Sequence, residues 1–387
     1  MNLEQIQKRL LFISPYVKEV SVTIQDGSPF ALIYPNFEAL KADHIINIEA
    51  EIKWYCVELY NMEVDESFKI RGYKISNNND INKTEIEPSD KLYEVLKDYL
   101  SSLSDIVVLP SSHIELDLGL DSLNYVELFV FIEQSFGIYI DEIIFSKIMK
   151  VQKLYEYIKQ HQTTFTPTNI NWKKVLDEDS SEKLIYSPFI MYGYKTILLP
   201  LFKLYFNLEI IGKQNIPTSS CIIAPTHQSM LDGFLIVSSL PYNILKKSFF
   251  LAFKGVFGKP ILGSLAKRGQ TILIDYNYNL KSSMQNTALP LKDKQNLVIF
   301  PEGARTRDRK LLEFRPFFAM LSKTYNVPIV PVVIDGSFEA LGSGKIFPIP
   351  KKIKITYLEP VYPDRLSYDE ITTKVKDMIQ DELSKTI

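Results

Sequence analysis

Twelve residues constrain this chain more than any others: Cys221-Ile-Ile-Ala-Pro-Thr-His-Gln-Ser-Met-Leu-Asp232. The apolar run Cys221–Ala224 reads as a buried strand, and Pro225 ends it. His227 and Asp232 follow, five residues apart. On a continuous helix that spacing sets two side chains about 140° apart, so they cannot meet there. They meet only if His227 precedes the first helical turn and Asp232 lies inside it. The pattern therefore predicts a strand–loop–helix junction, the place where open α/β sheets put their chemistry. A histidine oriented by a carboxylate is a general base for activating a hydroxyl. Taken alone, His-x-x-x-x-Asp also describes an ordinary surface histidine beside a helix-start aspartate, so the rest of the chain must decide.

The chain has 387 residues, 46% of them hydrophobic, enough for two or three domains. Its net charge of −2 hides an asymmetry: residues 1–90 carry −6, residues 91–160 carry −5 and residues 161–387 carry +9. A basic C-terminal half suggests attraction to the acidic half or to an anionic membrane. Cys56 and Cys221 are the only cysteines, so no disulfide framework or cysteine-based zinc site is implied. His44, His113 and His161 are scattered without ligand spacing, and no metal is expected. The N-terminal residues do not read as a signal peptide. No uninterrupted apolar run of about 18 residues exists. The nearest approach, Leu184–Ile211, is broken by Lys195, Pro200, Lys203 and Glu209, and suits either a helix lying in a membrane interface or a buried core helix.

Residues 1–88 predict a small α/β domain: a helix over Leu3–Phe12, strands over Val17–Ile24 and Phe30–Tyr34 around Gln25-Asp-Gly-Ser28, a helix over Ile45–Tyr60 and a strand over Ile70–Ser76. The segments Ser14-Pro-Tyr-Val-Lys-Glu-Val20, Phe30–Leu40 and Lys69-Ile-Arg-Gly-Tyr-Lys-Ile75 resemble the C-terminal lid of acyl-adenylating enzymes of the long-chain acyl-CoA synthetase type. The nucleotide-binding body of those enzymes has no counterpart here. Their Gly-Lys has none either, because Lys83-Thr84 is followed by Glu85-Ile-Glu87. The expectation is a non-catalytic piece, either a relic or a docking piece for a separate acyl-adenylating enzyme.

Residues 89–160 predict four helices with a long first connection, a small bundle. Leu92, Val95, Leu96, Tyr99, Leu100 and Leu103 recur at helical spacing. After the loop 104–119 comes Asp117-Leu-Gly-Leu-Asp-Ser-Leu123, opening a helix to about Phe136. Asp141–Ile148 and Val151–Gln160 supply the others. Helix N-termini favour phosphate, although Asp121 or Ser122 in that position also reads as a plain N-cap. Together the motif, the upstream helix and the acidic residues Glu127 and Glu133 resemble the acyl carrier protein family over about 70 residues. The resemblance implies that Ser122 carries 4′-phosphopantetheine, attached by a phosphopantetheinyl transferase. Residues 161–170, uncharged apart from His161 and rich in threonine, read as a linker. A short tether raises the local concentration of an arm to the order of millimolar.

Residues 171–387 alternate helical and strand patterns, as an α/β domain does. Strands are expected at Cys221–Ala224, Ser248–Ala252, Thr271–Ile274, Leu297–Phe300, Ile329–Ile334 and Ile353–Tyr357, and helices at Phe317–Tyr325 and Tyr368–Ser384, among others. After the fourth strand comes Pro301-Glu-Gly-Ala-Arg-Thr-Arg-Asp308. Gly303 permits a tight turn, and Arg305 and Arg307 offer planar forks for phosphate. Four blocks in order resemble the glycerolipid acyltransferase family, of the 1-acylglycerol-3-phosphate type, over Leu201–Pro363: Thr226–Asp232, Lys254–Gly263, Ile299–Arg307 and Val327–Gly336. The resemblance implies His227 as general base, Asp232 as its orienting carboxylate, and Glu302, Gly303, Arg305 and Arg307 around the acceptor. Two positions depart from the family: Tyr276 stands where an arginine usually helps hold the acceptor phosphate, and Phe317 stands where glycine is common.

The whole predicts a multidomain α/β protein: a small α+β domain, a four-helix carrier bundle and an α/β acyltransferase domain. The expected function is O-acyl transfer from a phosphopantetheine or coenzyme A thioester to a lipid hydroxyl, peripheral on the inner face of the cell membrane. Its expected partners are an acyl thioester donor, a lipid acceptor and a membrane surface, with no nucleic acid. The alternatives are a delivery module for a separate acyl-adenylating enzyme, or transfer to a non-glycerolipid acceptor. Backbone amides at the His227 junction are the natural oxyanion donors. Ser229 is expected to pack or cap rather than to act as nucleophile.

Overall fold

The computed structural model describes residues 3–385 except 26, 77–86, 105, 169, 179–182, 255–265, 267, 275–278 and 343–346. The chain divides into two compact units: residues 1–171 with 276–281, and residues 172–275 with 282–387. The first two expected segments therefore share one unit, and the division falls just after the expected linker.

In the first unit, α1 (Leu3–Ile13) precedes an antiparallel pair, β1 (Val17–Gln25) and β2 (Ser28–Pro35), and β3 (Gly72–Ile75) joins β2 in parallel. β2 alternates half-buried and buried residues along its whole length, so one face of the ribbon lies on the core. After α2 (Phe37–Ala42), the expected helix runs as α3 (Ile48–Ile52), a π turn (Lys53–Val57) and α4 (Glu58–Glu63). Its start lies three residues later than the apolar pattern predicts, because Asn47 caps it.

The same unit holds α5 (Lys91–Leu103), α6 (Ser122–Phe136), α7 (Glu142–Phe145) and α8 (Val151–His161). Eleven of the fifteen residues of α6 are buried, which marks it as the central helix. The Tyr99 ring stacks on Phe131 at 3.7 Å, and Phe129 meets Phe145 edge-on at 4.9 Å. The start of the expected linker is not a free tether. Thr163 and Thr164 N–H donate to Phe136 O, and Thr166 N–H donates to Ser135 O, folding this stretch back on the end of α6.

The second unit is built on a seven-stranded sheet in the order β4-β10-β9-β5-β8-β6-β7. Its strands are β4 (Glu209–Ile211), β5 (Ile222–Pro225), β6 (Ser248–Phe253), β7 (Thr271–Ile274), β8 (Asn296–Val298), β9 (Ile329–Asp335) and β10 (Lys354–Tyr357). All pairs are parallel except β9 with β10. β5 is wholly buried between β9 and β8, as a purely apolar strand requires. The edge strand β4 was hidden in the sequence inside the apolar run ending at Ile211. α9 (Trp172–Asp177) opens this unit and α10 (Pro188–Tyr205) follows. α10 packs on α11 (Asp232–Ser239), and Lys195 Nζ donates to Ser238 O at 2.7 Å and Leu240 O at 2.6 Å, capping the carbonyl end of α11. Helices Phe317–Tyr325 and Tyr368–Ser384 form where the periodicity predicts them. Among the described residues, no helix is long and apolar enough to cross a membrane.

Candidate active site

β5 and β8 are parallel neighbours, so the loops after them emerge on the same sheet edge. His227 follows β5 and Glu302 follows β8. Topology alone thus brings together two blocks 75 residues apart.

Asp232 is the first residue of α11 and is fully buried. Its Oδ2 accepts from Gln228 N–H at 2.6 Å, from Ser229 N–H at 2.7 Å and from His227 Nδ1 at 3.0 Å. The junction predicted from spacing is thus formed, with the carboxylate at its centre. With Nδ1 donating to Asp232, the lone pair sits on Nε2. The His227 side chain keeps 22% of its surface exposed, so the ring is reachable while its orienting partner is dry. Phe300 stacks on the imidazole at 4.1 Å with a 26° interplanar angle, fixing the ring plane.

The loop after β8 holds the His227 backbone from both sides. Glu302 Oε1 accepts from His227 N–H at 2.6 Å, and Oε2 accepts from Leu312 N–H at 2.9 Å. Thr306 N–H donates to His227 O at 3.0 Å. Glu302, expected beside the acceptor, is buried and spends both oxygens on backbone. It shapes the site by fixing His227. Gly303 has φ +63°, and a Cβ there would meet nothing closer than 3.7 Å, so the backbone conformation rather than space calls for glycine. Arg305 is buried and Arg307 half-buried in the same loop. Arg309, which sequence did not single out, pairs with Asp335 at 3.2 Å and Glu339 at 3.1 Å.

Ser229 Oγ donates to Leu341 O at 2.6 Å and accepts from Leu231 N–H, the packing role expected of it. Burial pushes the Cys221 thiol up to about 12, far from a thiolate at neutral pH. The expected oxyanion donors need correction. The amides of His227, Gln228 and Ser229 are all taken by the two carboxylates. Tyr276 and residues 255–263 of the second block lie outside the described residues. Phe317 starts its helix and is half-buried.

Ser122 lies in the first unit, as the first residue of α6. The N-cap is Asp121: its Oδ1 accepts from Leu123 and Asn124 N–H, while Asn124 Oδ1 accepts from Asp121 N–H. The cap is therefore complete without Ser122, which is half-buried.

The acyltransferase family model matches residues 207–335. A 1-acyl-sn-glycerol-3-phosphate acyltransferase of Limnanthes douglasii is 30% identical over 177 residues, 45% of this chain and 61% of the relative. The enzyme of that name from Bacillus subtilis is 29% identical over 158 residues, 40% of this chain and 74% of the relative. The crystal structure of a 1-acyl-sn-glycerophosphate acyltransferase from Thermotoga maritima aligns at TM-score 0.46 and 22% identity, covering 51% of this chain and 80% of that one. The chain thus spans about three-fifths of the length of the Limnanthes relative. Residues 207–335, which contain the His227–Asp232 pair, match the acyltransferase family model and are similar to enzymes of the 1-acyl-sn-glycerol-3-phosphate acyltransferase type.

Proposed function

We propose that this chain is an O-acyltransferase that moves a fatty acyl group from a phosphopantetheine thioester to the hydroxyl of a lysophospholipid or related lipid. The carrying observation is the His227 Nδ1–Asp232 Oδ2 contact of 3.0 Å on a ring that stays partly open. In this reading His227 Nε2 takes the proton of the acceptor hydroxyl as its oxygen attacks the thioester carbonyl. Asp232 holds the tautomer and stabilises the imidazolium that forms, and His227 returns the proton to the departing thiol. Such general-base help contributes roughly 10²–10⁴-fold. Glu302 keeps the imidazole in place through the His227 amide, and Arg305 and Arg307 bind the acceptor headgroup.

The donor side rests on Ser122. Asp121 fills the cap position, and the Ser122 hydroxyl stands at the N-terminus of a 15-residue helix, where phosphate is favoured. These residues fit a phosphodiester-linked 4′-phosphopantetheine, attached by a phosphopantetheinyl transferase. When bound, the arm supplies a thiol that carries the acyl group. A separate acyl-adenylating enzyme would charge it, with residues 1–88 as its docking piece. On the lipid side, α10 exposes Phe189, Ile197, Leu201 and Leu204, which suits peripheral binding to the inner face of a cell membrane.

The test is co-expression with a phosphopantetheinyl transferase, loading with one defined acyl chain, and mass spectrometry of lipid products. Wild type acylates the lipid. His227→Ala loads normally and transfers nothing, whereas Ser122→Ala fails to load. Transfer by His227→Ala at the wild-type rate would refute the mechanism. Products lacking a glycerol backbone would move the acceptor to another lipid class.

A further inference from the structure

The acyl-transfer reading gives no task to one arginine of the site loop. Arg309 lies two residues after Arg307, with φ +70°. That left-handed region is crowded for any residue with a Cβ, and arginine has no short polar side chain to ease it. Strain of this kind persists only where surrounding contacts hold it in place. The contacts here form a fork. Arg309 Nη2 donates to Asp335 Oδ1 at 3.2 Å, and Nη1 pairs with Glu339 Oε1 at 3.1 Å.

The two carboxylates stand on a fixed platform. Asp335 ends β9, which runs parallel to β5, so it lies on the sheet edge from which His227 emerges. Glu339 lies in the short helix Ser337–Leu341 that follows. Gly336 joins the two with φ +86°, and a Cβ there would sit 2.2 Å from Lys352 O. Ser229 Oγ donates to Leu341 O, tying the end of that helix to the His227 loop. A lone exposed ion pair contributes little. Here one planar fork meets two carboxylates, and the Asp335 side chain is only 19% exposed. Residues 302–312 are held at the His227 end by Leu312 N–H on Glu302 and by Thr306 N–H on His227 O. Arg309 adds a hold on a different element. Along the chain, Arg305 falls between Glu302 and Thr306, and Arg307 between Thr306 and Arg309.

We propose that Arg309 is a positioning residue: its fork on Asp335 and Glu339 fixes the loop of Arg305 and Arg307 and so sets the affinity for the phosphate headgroup of the acceptor. The assignment rests on the acyl-transfer reading above and deepens it. Arg309 spends its charge on two carboxylates and acts on the phosphate only through its neighbours. Guanidinium forks bind by direction as well as charge, so a loop that drifts loses affinity. The His227–Asp232 contact and the Glu302 bond to His227 N–H do not involve the fork, so the chemical step persists without it. Lysine at this position keeps the charge and loses the planar fork.

The experiment uses the full chain, a fatty acyl-coenzyme A donor and a lysophosphatidic acid probe in mixed micelles. The variants are Arg309→Gly, Arg309→Lys, the double Asp335→Asn with Glu339→Gln, and His227→Ala. Glycine removes the fork and relieves the backbone, so its Tm should stay close to wild type. Its KM for lysophosphatidic acid should rise about threefold to tenfold, with kcat and the KM for the thioester nearly unchanged. Arg309→Lys should recover part of that affinity. The double carboxylate variant should reproduce the loss, and adding Arg309→Gly to it should cost nothing more. Hydrogen exchange at the Thr306 and Leu312 amides should quicken in Arg309→Gly. An unchanged KM for lysophosphatidic acid, or exchange as slow as in wild type, overturns the assignment while leaving His227-dependent transfer standing. A fall in kcat matched by a lowered Tm also overturns it, in favour of a purely structural pair. Wild-type activity insensitive to His227→Ala overturns both readings together.

Discussion

Two buried carboxylates, one in each unit, do the same thing to the backbone and serve different ends. Asp232 is fully buried and accepts two backbone N–H bonds from residues three and four positions earlier, plus the His227 ring. Glu115 is 7% exposed and also accepts two backbone N–H bonds, from Ile48 at 2.9 Å and Glu49 at 2.7 Å. Those donors lie 67 and 66 residues away and open α3. Glu115 thus supplies, across the fold, what an N-cap side chain usually supplies from next door. The Asp232 arrangement is local and leaves one interaction for chemistry. The Glu115 arrangement is long-range and joins residues 1–76 to the loop that leads to Ser122. A carboxylate bonded to near neighbours builds a site, and one bonded to distant residues builds a fold.

The sharpest way to break this contrast is Asp232→Asn. It should lower transfer by about 10²–10⁴-fold, because the ring loses its orienting anion and the imidazolium its counter-charge. Steady-state rates with a soluble thioester check it, and near wild-type activity would remove Asp232 from the mechanism. Next comes Glu302→Gln, which retains an acceptor for one of its two amides and loses the other. We expect a fall of about tenfold in kcat, roughly 1.4 kcal/mol, from a loosened His227. An unchanged kcat would show that the loop merely covers the histidine.

Glu115→Ala should behave in the opposite sense. It leaves two helix-opening amides without their acceptor and should destabilise the first unit by about 1–3 kcal/mol. Transfer from a soluble donor should stay near wild type. Equal loss of transfer and stability would erase the distinction between site and fold. The pH dependence sharpens it further. Burial pushes the Glu115 carboxyl up to about 8 from 4.5, although its two backbone bonds pull the other way. The folded form therefore keeps a proton that the unfolded form releases near 4.5. This contribution is present in full below pH 4.5 and is lost as pH rises through about 8. Hydrogen exchange at the Ile48 and Glu49 amides, corrected for intrinsic rates, should show faster opening at pH 9 than at pH 6. Glu115→Gln should flatten that difference.

The smallest effect concerns the cysteines. Burial pushes both Cys56 and Cys221 up to about 12. Iodoacetamide at pH 8 should leave transfer unchanged, with intact mass confirming unmodified protein. Rapid inactivation with Cys221 alkylated would contradict the assignment of this thiol as a packing group.

Much of the architecture was legible because it is periodic. The helices of α5, α6 and α8 and the strands β5 to β10 lie within a few residues of where apolar spacing puts them. β4 was missed because three strand residues at the end of an apolar helical run carry no period of their own. The expected linker fell short because hydrogen bonds from Thr163 and Thr164 to the last residue of α6 cannot be read from threonine content. In the site, His227 and Asp232 were legible as a pair, and Glu302 only as a motif. Its true task, holding His227 N–H, appears only when two parallel strands align.

Sequence by itself determined the geometry within five residues of His227. There the covalent chain limits the choices, and a strand–loop–helix junction admits one good geometry. Tertiary structure decided everything that needs two distant segments to meet: the carboxylate behind the histidine amide and the acceptor over α3. Such contacts depend on packing free energy summed over a whole unit. No short stretch of sequence carries that sum.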